Sequence, residues 1–248
     1  MSDLQPKEWY KSWFNTPYYH LLYQNRDWQE AQMFIDQLMR VVNLPHGSEI
    51  LDVACGRGRH ALHMKTFGYK VQGIDLSEAN IAYAKQLEDE QLHFSVFDMR
   101  ETFSPNRFDL VTNLFTSFGY FEDEADHQRT IHAFAASLKT GGFLVMDFLN
   151  AELVAKRLVQ EEESVLENAH FQIKRHIAED FVHKQITLRD EHGEHSFRER
   201  VKLLKLNNFE TFFKKANLEL LQCYGNYQLN QAFNPASSER LILLAKKL

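Results

Sequence analysis

Between Trp28 and Val42 the apolar residues Phe34, Ile35, Leu38, Met39 and Val42 recur at three- and four-residue steps, which predicts an amphipathic helix. Pro45-His46-Gly47 ends it. Ile50, Leu51 and Val53 then form the short apolar run of a buried parallel strand. That run breaks at Cys55-Gly56-Arg57-Gly58, and a helical pattern follows from His60 to Phe67, closed by Gly68. The alternation continues with predicted strands at Tyr69–Asp75, Leu92–Asp98, Phe108–Phe115 and, after a turn at Gly141-Gly142, Phe143–Leu149. Helices fall between them, one opened by Ser77 as N-cap and one running from Glu122 to Leu138. Strand and helix alternating at this pace predict a mainly parallel, doubly wound α/β sheet.

The rhythm stops near Asn150. From Val165 to Leu206 the pattern is that of strands, with a turn at His192-Gly193, and it predicts an inserted antiparallel meander. A helix over Asn207–Ala216 and strands over Leu218–Tyr227 and Glu239–Lys247 close the chain. At the other end, residues 1–27 carry Trp9, Tyr10, Trp13, Phe14, Tyr18, Tyr19 and Tyr23 with no strand alternation. Two short helices interrupted at Pro17 fit that stretch.

Composition narrows the classes of function. The net charge of −6 argues against a general nucleic-acid binder, which needs surplus Lys and Arg. The two cysteines, Cys55 and Cys223, give neither a disulfide framework nor zinc-ligand spacing, so no metal is expected. No apolar run approaches membrane-spanning length, and a cytoplasmic location is the expectation.

Three acids end three successive strands: Asp52 just before the glycines, then Asp75, then Asp98. Gly56-x-Gly58-x-x-Ala61 satisfies the dinucleotide-binding pattern, but Asp52 beside the loop disfavours a pyrophosphate. A carboxylate there suits a cationic or donor-rich ligand instead. Asp75 stands where a ribose diol is held, accepting from both hydroxyls. Asp98 is placed to accept from an adenine amino group, with Leu76 and Met99 flanking the ring.

The segments ILDVACGRGRH, GIDLS, VFDMRE and FDLVTNLFTSFGYF resemble the successive motifs of class I S-adenosylmethionine-dependent methyltransferases, over Glu49 to Asn150. TSFGYF and the meander are similar to those of bacterial small-molecule members, including glycine N-methyltransferase-like enzymes. The resemblance implies a seven-stranded Rossmann-like methyltransferase sheet with an antiparallel β-meander inserted after the fifth strand. It implies S-adenosyl-L-methionine as cofactor and S-adenosyl-L-homocysteine as product. Asp52, Ala54, Gly56 and Gly58 would approach the methionine part, Asp75 the ribose, Asp98 and Met99 the adenine, and Asn113 the transferring methyl. Ala54 replaces the family's usual first glycine.

The expected organisation is an N-terminal helical lid (1–45), a cofactor-binding core (46–150), the meander on the substrate side or at a dimer contact (151–206), and a last helix with a terminal strand pair (207–248). Transfer from a sulfonium is an in-line displacement needing mainly alignment, so a general base is optional. Tyr19, His20 and Tyr120 are the catalytic candidates, His20 with an ordinary pKa near 6.5. Tyr18, Tyr19, Phe115, Phe118, Tyr120 and Asn150 are the expected substrate-pocket residues. The expected partner is a small-molecule acceptor of a methyl group at N or O, with no nucleic acid or membrane, and a monomer or homodimer. The alternatives are an RNA or protein methyltransferase, and a non-catalytic S-adenosylmethionine-binding protein.

Overall fold

The computed structural model describes residues 8–23 and 28–248. Two short helices, α1 (Trp9–Trp13) and α2 (Pro17–Leu22), precede α3 (Trp28–Val42). Pro17 occupies the first turn of α2, where its missing N–H costs nothing, and the Thr16 hydroxyl caps the helix by accepting from Tyr19 N. The core follows as β1 (Glu49–Val53), α4 (Arg59–Lys65), β2 (Lys70–Asp75), α5 (Glu78–Ala84), β3 (Leu92–Val96), β4 (Phe108–Asn113), α6 (Glu124–Ser137) and β5 (Leu138–Leu149). After α7 (Ala151–Arg157) come β6 (Glu161–Leu166), β7 (Ala169–Ala178), β8 (Phe181–Asp190) and β9 (Gly193–Lys202). The chain then returns to the core with α8 (Leu206–Lys215), β10 (Leu218–Tyr224) and β11 (Arg240–Lys247).

The first sheet has seven strands in the order β10-β11-β5-β4-β1-β2-β3. β11 runs antiparallel to both β5 and β10, and the other described pairings in this sheet are parallel. Alternation along β1 divides the core: Ile50 packs with Phe34, Ile35, Leu38, Met64 and Val71 on one face. Leu51 and Val53 pack with Val111, Ile131, Phe134 and Phe209 on the other. α3 is therefore part of the core sandwich, although it falls within the segment 1–45 expected as a helical lid.

One local expectation is corrected. The helix ends at Ser137 and β5 starts at once at Leu138, so Gly141-Gly142 lies within the strand and not at a turn before it. A Cβ on Gly142 would stand 2.9–3.2 Å from three carbonyl oxygens, and Gly141 has φ +80°. The glycines thus permit an irregularity in the β4–β5 ladder, whose register shifts between Phe108 and Leu110. The meander is a separate four-stranded sheet, β6-β7-β8-β9. Its first strand opens on the exposed run Glu161-Glu162-Glu163, which carries no apolar alternation to reveal it. Its inner face buries Phe171, Ile173, Ile186 and Leu188 against Trp9, Tyr10 and Trp13. No helix among the described residues is long and apolar enough to cross a membrane.

Candidate functional site

Asp52, the penultimate residue of β1, is 2% exposed, and its side chain is pinned on one oxygen only: Thr112 donates to Oδ1 at 2.9 Å. Oδ2 is buried with no hydrogen-bond partner. Burial, reinforced by the charge of Asp75, pushes the Asp52 carboxyl up to about 7 despite the Thr112 bond. The chain then turns through Ala54 (φ 57°), Gly56 (φ 57°) and Gly58 (φ 82°), all in the left-handed region. A Cβ on Gly58 would meet the Phe94 ring at 2.5 Å, whereas one on Gly56 would meet nothing within 4 Å. Gly58 thus serves close packing of α4 onto the sheet, and Gly56 leaves open space above the turn.

Asp75 ties the turn to the next helix. Gly56 N donates to its Oδ2 at 2.9 Å and Ser77 N to its Oδ1 at 2.8 Å. Burial raises its pKa against these bonds. At the end of β3, Asp98 accepts from Arg100 Nη2 at 2.6 Å, from Nε at 3.1 Å, and from the Arg100 amide at 2.9 Å. Although burial opposes it, this guanidinium holds the Asp98 carboxyl below its usual range. Arg100 also reaches Glu8, just before α1, and Asp126 on α6. Asp98 is therefore first an anchor for Arg100.

These elements surround a cavity of about 490 Å³. Asp52, Ala54, Gly56, Asp75, Leu76, Asp98 and Met99 line one part of it; Tyr19, His20, Phe115 and Tyr120 line another. Five residues expected in the site are not among its lining. Gly58 faces Phe94, as above. Asn113 is wholly buried and donates to Val53 O and Ser117 O, both at 3.3 Å, joining β1 to the loop after β4. Tyr18 turns to the meander, where its phenol donates to Asp190 Oδ2 at 2.8 Å. Phe118 is a core residue beside His127 and Phe209. Asn150 caps α7 and donates to Pro235 O and Ser238 O, holding a distant loop.

The cover is an aromatic cluster. The Tyr120 ring lies 5.3 Å from Trp9 and 5.6 Å from Phe14, and its hydroxyl donates to Thr116 O at 2.7 Å. His20 does not keep an ordinary pKa: burial, then the Arg57 charge, lower it, so its ring is neutral near pH 7. The lining also holds residues not anticipated, among them His60, Tyr23 and Glu199. His60, on the first turn of α4, stacks on Phe115 at 4.8 Å, and burial pushes it down to about 3. Tyr23 and Glu199 form a second pair, the phenol donating to the carboxylate at 2.8 Å. Glu199 also accepts from Trp13 Nε1 at 2.7 Å and lies 3.4 Å from Lys184. Alternation along β9 was the available signal for Glu199, since it sets that residue opposite the face of Arg198 and Arg200.

Residues 50–142 match the family model described as a methyltransferase domain. Over 133 residues the chain is 35% identical to the dTDP-3-amino-3,4,6-trideoxy-alpha-D-glucopyranose N,N-dimethyltransferase of Streptomyces venezuelae, covering 52% of this chain and 54% of that protein. Over 135 residues it is 30% identical to the glycine/sarcosine N-methyltransferase of Aphanothece halophytica, covering 52% and 49%. The chain thus spans about half the length of the curated relatives it matches. Its fold is similar over nearly its whole length to that of an S-adenosylmethionine-dependent methyltransferase from Clostridium acetobutylicum, with TM-score 0.78, 21% identity, and 93% and 96% of the two chains covered. An amino pentose methyltransferase from Micromonospora echinaspora, solved with S-adenosylmethionine bound, superimposes with TM-score 0.68 at 21% identity, covering 94% and 98%. Sheet order, glycine turn and acid-lined cavity agree with these likenesses: residues 50–142 are similar to a methyltransferase domain, and the chain has the fold of the S-adenosylmethionine-dependent methyltransferases it resembles.

Proposed function

We propose that this protein transfers a methyl group from S-adenosylmethionine to a nitrogen or oxygen of a small-molecule acceptor. One observation carries the reading: the acid-lined turn of β1 and β2 and the aromatic cover of α1 and α2 line a single cavity. The residues fit the cofactor. Asp52 Oδ2 is a buried carboxyl oxygen with no hydrogen-bond partner, suited to a cationic ligand that would favour its ionised form, and the space above Gly56 is one that a Cβ would fill. The bound cofactor would supply a methyl group already activated by a sulfonium.

In this reading Asp75 holds the ribose diol while keeping its bonds to Gly56 and Ser77. Leu76 and Met99 flank the adenine, and Asp98 sets that end of the cavity through Arg100. Tyr19, Tyr120 and Phe115 wall the acceptor side, and neutral His20 is able to take a proton from an acceptor that must lose one. The cover excludes water, and the loop after β4 fixes the acceptor's approach. The sugar N-methyltransferase relatives support a small molecule over a macromolecule, and the two free cysteines suit a reducing, cytoplasmic setting.

The test pairs calorimetry with a labelled-cofactor screen. S-adenosylhomocysteine binds and NAD does not, and a labelled methyl group appears on a compound of a filtered metabolite extract. Binding of NAD in preference to S-adenosylhomocysteine would end the reading. Binding without transfer to any small molecule, RNA or protein would leave a cofactor-binding protein.

A further inference from the structure

The loop after β4 holds two consecutive non-glycine residues in the left-handed region, Phe115 (φ 55°) and Thr116 (φ 61°). Both line the cavity. A bulky side chain rarely adopts that conformation unless its surroundings dictate it. The surroundings are a charged pair from β5 and β11, paired strands far apart in sequence, neither member of which lines the cavity. The side chain of Asp147, on β5, is 0% exposed. Phe115 N donates to its Oδ2 at 2.8 Å, and Thr116 N donates to its backbone carbonyl at 3.0 Å. Arg240, at the start of β11, donates through Nε to Asp147 Oδ1 at 2.8 Å and through Nη2 to Thr116 Oγ1 at 2.8 Å. Tyr227 adds a bond from its hydroxyl to Asp147 Oδ2 at 3.2 Å, and its ring stacks on Phe115 at 5.3 Å.

The amide, the hydroxyl and, through Tyr120, the carbonyl of Thr116 are all held from the protein side. A buried ion pair is a poor source of stability, because desolvation offsets its attraction. What its fixed fork does supply is geometry. We propose that Asp147 and Arg240 are positioning residues for methyl transfer: from beneath the cavity they set the conformation of Phe115 and Thr116, and so the wall against which the acceptor is aligned. The proposal rests on the methyltransferase reading above.

Arg240→Lys tests it, because a lysine keeps the charge facing Asp147 but cannot reach both Asp147 and Thr116 with a planar fork. Four quantities are compared with the wild type: the urea midpoint, S-adenosylhomocysteine affinity by calorimetry, hydrogen exchange of the amides of residues 114–117, and the rate of labelled-methyl transfer to a filtered metabolite extract. The midpoint and the affinity are expected to stay within about twofold-equivalent limits. Exchange at 114–117 is expected to rise, and transfer to fall, each by about tenfold, the scale of one charge-assisted hydrogen bond. The neutral double variant Asp147→Asn/Arg240→Gln, which leaves no lone buried charge, is expected to show the same split more strongly. Unchanged exchange at Phe115 and Thr116 overturns the proposal, as does a parallel loss of cofactor affinity and transfer. If the wild type itself transfers no label, the methyltransferase reading fails, and the exchange comparison still decides whether the pair holds the loop.

Discussion

Replacing Asp52 by Asn separates the stability of the apo protein from its capacity to hold a cation. The Asp52 carboxyl is raised from 3.8 to about 7, chiefly by burial. A carboxyl raised on folding stabilises the protein fully only below its unfolded pKa, and the contribution is lost as pH rises through the folded value. Between pH 5 and pH 8 the wild type therefore loses about 3 kcal/mol through this one group, from 1.36 kcal/mol for each pH unit between 5 and 7. Asn has the same shape, still accepts from Thr112, and carries no charge. Urea unfolding of both proteins at pH 5 and pH 8 is expected to show Asp52→Asn gaining about 3 kcal/mol on the wild type across that interval. Groups that titrate in both proteins cancel in the comparison. Binding is expected to move the other way. S-adenosylmethionine affinity of the wild type rises by up to about tenfold per pH unit below 7 as Asp52 ionises, and in the variant it is weaker and flat. Parallel stability–pH curves for the two proteins would refute the argument that burial opposes the ionisation of Asp52 until a cation pairs with it.

The two glycines of the turn are expected to differ. Gly58→Ala forces a Cβ to within 2.5 Å of Phe94 and lowers the thermal midpoint, whereas Gly56→Ala strains the backbone by roughly 1 kcal/mol and mainly weakens S-adenosylhomocysteine binding in calorimetry. Phe118→Ala is expected to cost about 3–5 kcal/mol in urea unfolding, as for a buried core aromatic, without altering which acceptors are labelled. Arg100→Met removes the ties from Asp98 to Glu8 and Asp126, and limited proteolysis is expected to cut faster within residues 8–23 while β1–β5 stay protected.

The strand–turn–helix of Glu49–Lys65 and the acids Asp52, Asp75 and Asp98 near successive strand ends were legible in the chain. Each is a local pattern: apolar alternation marks a strand, and glycine marks a turn that a Cβ would obstruct. Adjacent residues show where that legibility stops. Tyr18 and Tyr19 are neighbours on α2, yet Tyr18 bonds to Asp190 and Tyr19 lines the cavity, because successive helical side chains point about 100° apart. Phe118 enters the core and Tyr120 lines the cavity, with Gly119 between them at φ +87°. The partners that hold this loop lie far along the chain, and no sequence spacing relates Arg240 to Asp147 or Thr116.

By itself, then, the sequence determined the alternating core, the position of the glycine turn and the row of acids, since these depend on backbone sterics and burial within a few residues. Tertiary structure alone decided which side chains share the cavity, that Asp98 anchors Arg100, that Asp52 lacks a hydrogen-bond partner on one oxygen, that Glu199 lines the cavity, and that the Asp147–Arg240 pair holds the loop at Phe115 and Thr116. Those facts depend on the packing of strands and loops brought together from opposite ends of the chain.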